Sequence, residues 1–580
     1  MNNQKIDNQL NLALDSTQDE RNKSMNLNVG YNDATKKWQL IVRYAGSLDN
    51  IRMLGVDVQE LLGGYAILNV AENLIDIVSA SNEILYVEKP KMLSFAIENS
   101  KRVSCINSVQ RQPFNLHGEG CIVAVIDSGI DYGNRVFLDA NGETRILELW
   151  DQTITNGMPP QGYTIGTLYT RNDINEALSL SGIDRYNRVP SRDISGHGTS
   201  VASIAAGNFS EDIAINPSED IGVATRAELI VVKLGNPISD SFPRTSELML
   251  AIDFCVRRAM YYGRPMSINI SFGNNYGSHD GSSLLSTYID SVATMGRIVI
   301  AVGAGNEGSA GSHVGANLEN DNVQEIELVV GAFETSFNIQ IWKDYIDIFD
   351  IEIILPTGEN TGVLLSKLGA YRYTVENTEL LIYYGEPSPY NRYQEIFIEF
   401  VPRQTYVDEG VWKIRLTPVR IVGGRYDMWL SSERTSANTR FLRPDVYTTL
   451  TVPSTASSVI AVGAYDAYNF SYADFSGRGY TRATNQIKPD IVAPGVNISC
   501  IAPGGGMVQR TGTSFATPFV TGSAALMMEW GIIQGNDLFL YGEKVKAYMI
   551  RGARRLAGYE NYPNPLLGYG ALCLEDSLPI

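Results

Sequence analysis

Four short stretches of this 580-residue chain carry residue types that can do chemistry together. The first is Val125-Ile126-Asp127-Ser128-Gly129, an aspartate closing an apolar run. Open α/β sheets put their sites at the carboxyl ends of buried parallel strands, and Asp127 falls at such a place. Taken alone, it is equally well an Asx turn that ends the strand. The second is Ser195-Gly196-His197-Gly198-Thr199-Ser200. Glycine on each side of the imidazole lets another backbone come close, although a lone histidine is also explained by a structural role. The chain has four histidines, and no other sits in a comparable setting. The third is Gly512-Thr513-Ser514-Phe515-Ala516-Thr517-Pro518. It sets a hydroxyl at a helix N-terminus, where unpaired amides and the positive end of the dipole favour a developing oxyanion. Pro518 suits the early helix, and Thr-Ser alone is also a plain N-cap. The fourth is Ala304-Gly305-Asn306-Glu307-Gly308. Its asparagine amide can donate to the same oxyanion as the Ser514 backbone N–H.

Pieces so far apart in sequence need a scaffold that gathers them. From Gly118 onward, apolar strands (CIVAVIDSG, ELIVVKLG, MSINISFG, IVIAVGAGNEG) alternate with helical stretches (GTSVASIAAG, SELMLAIDFCVRRAMYYG, SSLLSTYIDSVATMG). This order predicts an α/β domain with a parallel sheet and helices on both faces. The alternation stops between about Val323 and Thr451, where runs such as FNIQIW, QEIFIEFV and VWKIRLTPV alternate apolar and polar residues. That pattern predicts an inserted antiparallel β jelly-roll or sandwich. Strand–helix order resumes with SVIAVGAYD, DIVAPG and a helix from about Ser514 to Trp530. Near the N-terminus, Lys37–Lys91 reads as a small α/β module with a mainly antiparallel sheet. The expected boundaries are a flexible polar leader over 1–36, the small module over 37–100, the α/β domain over 101–320 and 451–580, and the insertion over 321–450.

Composition narrows the function classes. The net charge of −18 argues against nucleic acid as the main partner. No run approaches ~18 consecutive apolar residues, so no membrane span is expected. The polar first residues lack the apolar core of a secretion signal, which suggests synthesis in the cytoplasm. Cys105, Cys121, Cys255, Cys500 and Cys573 are odd in number and widely spaced. They predict free, buried thiols rather than a disulfide framework or a zinc site. Trp342, Trp412 and Trp429 are scattered through the insertion and read as core. The competing reading makes that block an independent carbohydrate- or peptide-binding module, and fold alone does not decide function.

DSG, SGHGTSVASIAAG, AGNEG and GTSFATP, in that order, resemble the signature set of the subtilase (subtilisin-like) serine peptidases. INISFG and KPDIVAPGVNI also look like subtilase strand segments. The order Asp, His, Ser along the chain is that of subtilisin. The resemblance implies a catalytic triad of Asp127, His197 and Ser514, and an oxyanion hole of Asn306 and the Ser514 N–H. It implies that Ser271, Phe272 and Gly273 pair with an extended substrate beside Gly303, Ala304 and Gly305 in the wall of the primary pocket. Glu307 either tints that pocket acidic or is solvated. The small N-terminal module resembles the family's propeptide, a chaperone and inhibitor, and self-cleavage is expected between about Met92 and Lys101. No cofactor is required. Calcium is common in the family, but the carboxylates Glu211, Asp212, Glu219 and Asp220 match no defensible loop motif, so no metal ligand is assigned. Long propeptide, absent export signal and inserted jelly-roll together resemble the Csp proteases of clostridia. That likeness implies a spore-associated endopeptidase, with the precursor of a cortex-lytic enzyme as protein substrate and the cleaved propeptide as bound inhibitor. The alternative is a non-catalytic germination sensor, because pseudoproteases occur among the Csp relatives.

Overall fold

A computed structural model describes residues 4–91, 94–95, 103–208, 222–235, 243–432, 434, 436 and 438–579. At its centre Ile122–Asp127 lies between Met266–Ile270 and Glu228–Lys233, all parallel. The sheet extends through Ile298–Gly303 and Ile460–Asp466 on one side and Ile146–Asp151 on the other. Side chains alternate between the two faces of a strand. Val123 and Val125 accordingly join the core beneath helices His197–Ala206 and Thr513–Met528. Ile122, Ala124 and Ile126 join the core beneath Thr245–Tyr262 and Leu284–Val292. A strand buried on both faces must be apolar throughout, as IVAVI is.

The insertion forms two antiparallel sheets, of six and four strands, that share one core containing Phe337, Ile351, Ile398 and Trp412. Its first strand, His313–Asn317, precedes position 321 and pairs with Arg425–Leu430. Trp342, Trp412 and Trp429 are all buried. Trp429 is stacked between His279 of the α/β domain and His313, with ring centroids 4.1 and 4.7 Å apart. Asp427 faces His313 at 3.2 Å and Arg482 at 2.8 Å, so an ion-paired patch joins insertion and α/β domain.

The N-terminal module is an antiparallel sheet built on Lys37–Tyr44 and Tyr65–Ala71, as expected. The leader departs from expectation. Asn8–Asp15 and Gln18–Lys23 are helical rather than flexible. Asp7 Oδ1 accepts from the Leu10 N–H at 3.1 Å, and Thr17 with Glu20 forms a capping box. Leu10, Leu12 and Ala13 are buried in one core with Leu381, Tyr383, Phe397 and Val401 of the insertion. Such short helices are marginal alone and are stabilised by docking. The expectation of five free thiols also fails, because Cys105 and Cys573 form a disulfide, Cα to Cα 4.8 Å. The fold brings positions 468 residues apart to one place, which spacing along the chain does not reveal. Cys121, Cys255 and Cys500 are free and buried. No helix of the described residues is long and apolar enough to cross a membrane.

Candidate active site

Asp127 is the last residue of the central strand and is fully buried. His197 begins the helix that packs across that strand end. Gly196 before it has φ +74°, and a β-carbon on Gly198 would lie 2.2 Å from the Gly129 carbonyl oxygen. Helix and strand can therefore meet this closely only with glycine at 198. Asp193 fixes the helix entry by accepting from the N–H groups of Gly196 and Thr199 at 2.9 and 2.7 Å. Ser128 Oγ donates to the same carboxylate and accepts from the Gly198 N–H at 2.9 Å.

The result is a 2.7 Å hydrogen bond from His197 Nδ1 to Asp127 Oδ1, which also accepts from the Ser128 N–H at 2.7 Å. With its proton on Nδ1, the ring keeps a lone pair on Nε2. The imidazole edge lies against Phe515, centroids 5.2 Å apart, next to Ser514.

Ser514 is the second residue of Thr513–Met528 and is only 2% exposed. Its Oγ lies 3.3 Å from the Ser271 carbonyl. Pro518 has no N–H to donate to the carbonyl four residues earlier. That carbonyl belongs to Ser514, and Ser271 Oγ donates to it instead, at 3.1 Å. Proline and serine therefore tie the backbone of Ser514 to the neighbouring strand end.

Asn306 leaves the end of Ile298–Gly303 through Gly305, whose φ is +94°. Its Oδ1 accepts from both the N–H and the Oγ1 of Thr513, at 3.0 and 3.1 Å. The oxygen end of the amide thus caps the serine helix, and the NH₂ end remains as the donor. Carboxylate, imidazole, hydroxyl and amide are gathered at one rim of the sheet, an arrangement suited to acyl transfer through an oxyanion.

The two expected walls also come together, because their parent strands are adjacent, Ile270 opposite Val302. Phe272–Gly273 pairs antiparallel with Ser94–Phe95 at the end of the N-terminal module, Phe272 opposite Phe95 and Gly273 opposite Ser94. On the other wall, Ala304 accepts from the Thr451 N–H at 3.0 Å and donates to Val462 at 2.9 Å. Glu307 faces Arg434 at 3.8 Å, so its charge is partly met.

Sequence reasoning missed Ser128, Asp193, Thr451 and Thr513. An aspartate just ahead of a helix start is a capping signal that points to Asp193; the others are visible only through contacts between distant segments. Burial pushes the thiols of Cys121 and Cys255 well above the usual range, which disqualifies them as competing nucleophiles. Among the described residues no His, Cys, Asp and Glu cluster could hold a metal, and the acidic stretch with Glu211, Asp212, Glu219 and Asp220 lies outside them.

Comparisons with known proteins fit this geometry. Residues 4–91 match the family model of the Csp protease B prodomain, and residues 118–394 and 437–570 match that of the subtilase family. The solved structure of Clostridium perfringens CspB protease is 38% identical, with a TM-score of 0.75, covering 82% of this chain and 96% of that one. Serine protease AprX of Bacillus subtilis (strain 168) is 32% identical over 151 residues, 23% of this chain and 32% of AprX. The membrane-bound transcription factor site-1 protease of Mus musculus is 34% identical over 134 residues, 22% of this chain and 12% of that protein. The chain therefore spans less than a third of the length of these curated relatives. With the subtilase match running through both halves of the α/β domain, and a homologous structure aligned across most of its length, the chain belongs to the subtilase family of serine peptidases and carries a Csp-type prodomain.

Proposed function

We propose that this protein is an endopeptidase whose nucleophile is Ser514, that it cleaves its own prodomain, and that its substrate is the inactive precursor of a spore cortex-lytic hydrolase, acted on during germination. The reading is carried chiefly by the 2.7 Å His197–Asp127 hydrogen bond beside a buried Ser514. His197 Nε2 takes the proton as Ser514 Oγ adds to the scissile carbonyl carbon. The oxyanion receives N–H donors from Asn306 and the Ser514 backbone. His197 then gives its proton to the leaving amine, and water resolves the acyl-enzyme by the same path in reverse. Asp127 holds the tautomer and stabilises the imidazolium. Ser271–Gly273 and Gly303–Gly305 flank the extended peptide.

Self-cleavage is supported by the backbone pairing of Ser94–Phe95 with Phe272–Gly273, because it threads the prodomain's end along the substrate strand. The expected interval, 92–101, otherwise lies outside the described residues. The germination setting and spore association rest on the Csp-type prodomain and the CspB likeness. Purified wild-type protein is expected to separate under denaturing conditions into a fragment of about 10 kDa and the remainder, and Ser514→Ala to run as one chain. Wild-type protein, but not the alanine variant, should shorten the purified hydrolase precursor. Identical processing of both purified forms would contradict self-cleavage, and an untouched precursor would contradict the substrate assignment.

A further inference from the structure

A second cleft lies between the insertion and the α/β domain, and none of the residues that line it belongs to the site around Ser514. Its volume is about 820 Å³, within the range of clefts that take up small molecules. Tyr393 comes from the insertion, Tyr447 from the segment that leaves it, and Tyr480 from the α/β domain, so phenol rings converge here from three stretches of chain. Tyr447 and Tyr480 are 43% and 42% exposed.

The same cleft holds a buried charge that is only partly used. Arg482 is 5% exposed. Its Nε donates to Asp427 at 2.8 Å, and its guanidinium lies over the Tyr393 ring, 4.3 Å from the centroid. Its Nη1 has no partner among the described residues, and a buried donor left unpaired is costly. The backbone is strained here too. Thr448, Ala483 and Asn485, all in the lining, have φ of +56°, +61° and +50°. Residues other than glycine avoid that region, a β-branched threonine above all, and such strain collects where ligands are held.

We propose that this cleft binds a short neutral oligosaccharide, which bridges the insertion and the α/β domain. Charge selects a neutral ligand. Arg425 and Arg482 line the cleft with Asp344 and Asp445, so an ion of either sign meets a like charge. A sugar lays its C–H face on a tyrosine ring and offers hydroxyls that both donate and accept. The carboxamides of Asn485, Asn561 and Asn564 in the lining also do both. An extended peptide fits less well, because it pairs with a free strand edge. The insertion strands that reach the cleft, Phe337–Asp344, Tyr393–Pro402 and Arg425–Leu430, are all inner strands of their sheet. The insertion alone does not make this site, because the α/β domain supplies Tyr480, Arg482 and the three asparagines. None of Trp342, Trp412 and Trp429 lines it, so the tryptophans of the insertion gave no sign of it.

The test is calorimetric titration of the full chain, as Ser514→Ala, with maltotriose, cellotriose and tri-N-acetylchitotriose. It does not depend on the peptidase reading. At least one of these sugars should bind, and Tyr447→Ala and Tyr480→Ala should each weaken that binding by roughly 10-fold. Tyr468→Ala removes an 86% exposed ring outside the cleft and should bind as its parent does. Thermal unfolding of each variant checks that the fold is kept, and Asn561→Ala, at an exposed position, gives a further lesion with the same expected loss. Absence of binding by all three sugars overturns the proposal, and so does binding that every cleft variant keeps. Trialanine is titrated in parallel. Trialanine binding that the tyrosine variants lose, with no sugar bound, makes this a peptide site and overturns the proposal as well.

Discussion

In the proposed mechanism Asn306 uses the two ends of one amide for two tasks. Its oxygen caps the serine helix through Thr513, and its NH₂ end is left for the oxyanion. Asn306→Ala should lower kcat by about 10²–10³-fold with KM little changed, the range known for loss of the equivalent donor in subtilisin, a member of the same family. Steady-state kinetics on a peptide substrate checks it; a loss confined to KM would assign Asn306 to binding. Asp127, His197, Asn306 and Ser514 stand out in the sequence as candidates because each sits in a glycine-rich local setting that a bulk structural residue does not need, and the fold brings their segments together. Gly198 is the clearest instance, since its missing side chain is what allows helix and strand to touch. Thr451 is not legible as a site residue, because its surroundings come from segments that the chain brings in from elsewhere.

Strands and long helices are legible because their apolar periodicities are strong. IVAVI is buried on both faces, and FNIQIW is paired in an antiparallel sheet. The leader escapes sequence reasoning for the opposite reason. Asn8–Asp15 and Gln18–Lys23 are short and largely polar, and Leu10 and Leu12 are buried in a core shared by the module and the insertion's strands. The disulfide escapes it because cysteine spacing says nothing about which segments converge. Cys105 lies just past the prodomain and Cys573 near the chain's end, so the bond clamps both ends of the α/β domain. Changing both cysteines to serine should destabilise that domain by about 2–5 kcal/mol. Chemical denaturation of Ser514→Ala protein with and without the pair of substitutions measures this. No shift in midpoint would show that the clamp adds nothing to stability.

The prodomain touches two partners at once. Leu62 N–H donates to Asp253 of the α/β domain at 2.9 Å, and Asn8 Nδ2 donates to Glu395 of the insertion at 2.7 Å. This interface buries Asp7, Glu88 and Lys89, with Tyr86 and Lys91 half-buried, near Glu395. Burial pushes the Glu395 carboxyl up to about 7, and burial also raises Asp7. A carboxyl whose value is raised on docking favours the docked form at low pH and loses that contribution as pH rises through its docked value. Lys89 is lowered by burial and Lys91 raised by Glu88, and their contributions change in more alkaline solution. Between about pH 5 and pH 7.5 the cleaved prodomain should dissociate more readily as pH rises. Glu395→Gln should flatten that dependence, and an unchanged slope would contradict the role given to this interface. The central claim, that three distant stretches build one working nucleophile, is tested most directly by fluorophosphonate labelling followed by peptide mapping. After prodomain removal the label should sit on Ser514 in wild-type protein and be lost in Ser514→Ala and sharply reduced in His197→Ala. Wild-type protein that stays unlabelled with its prodomain gone, or labels elsewhere, would contradict the account.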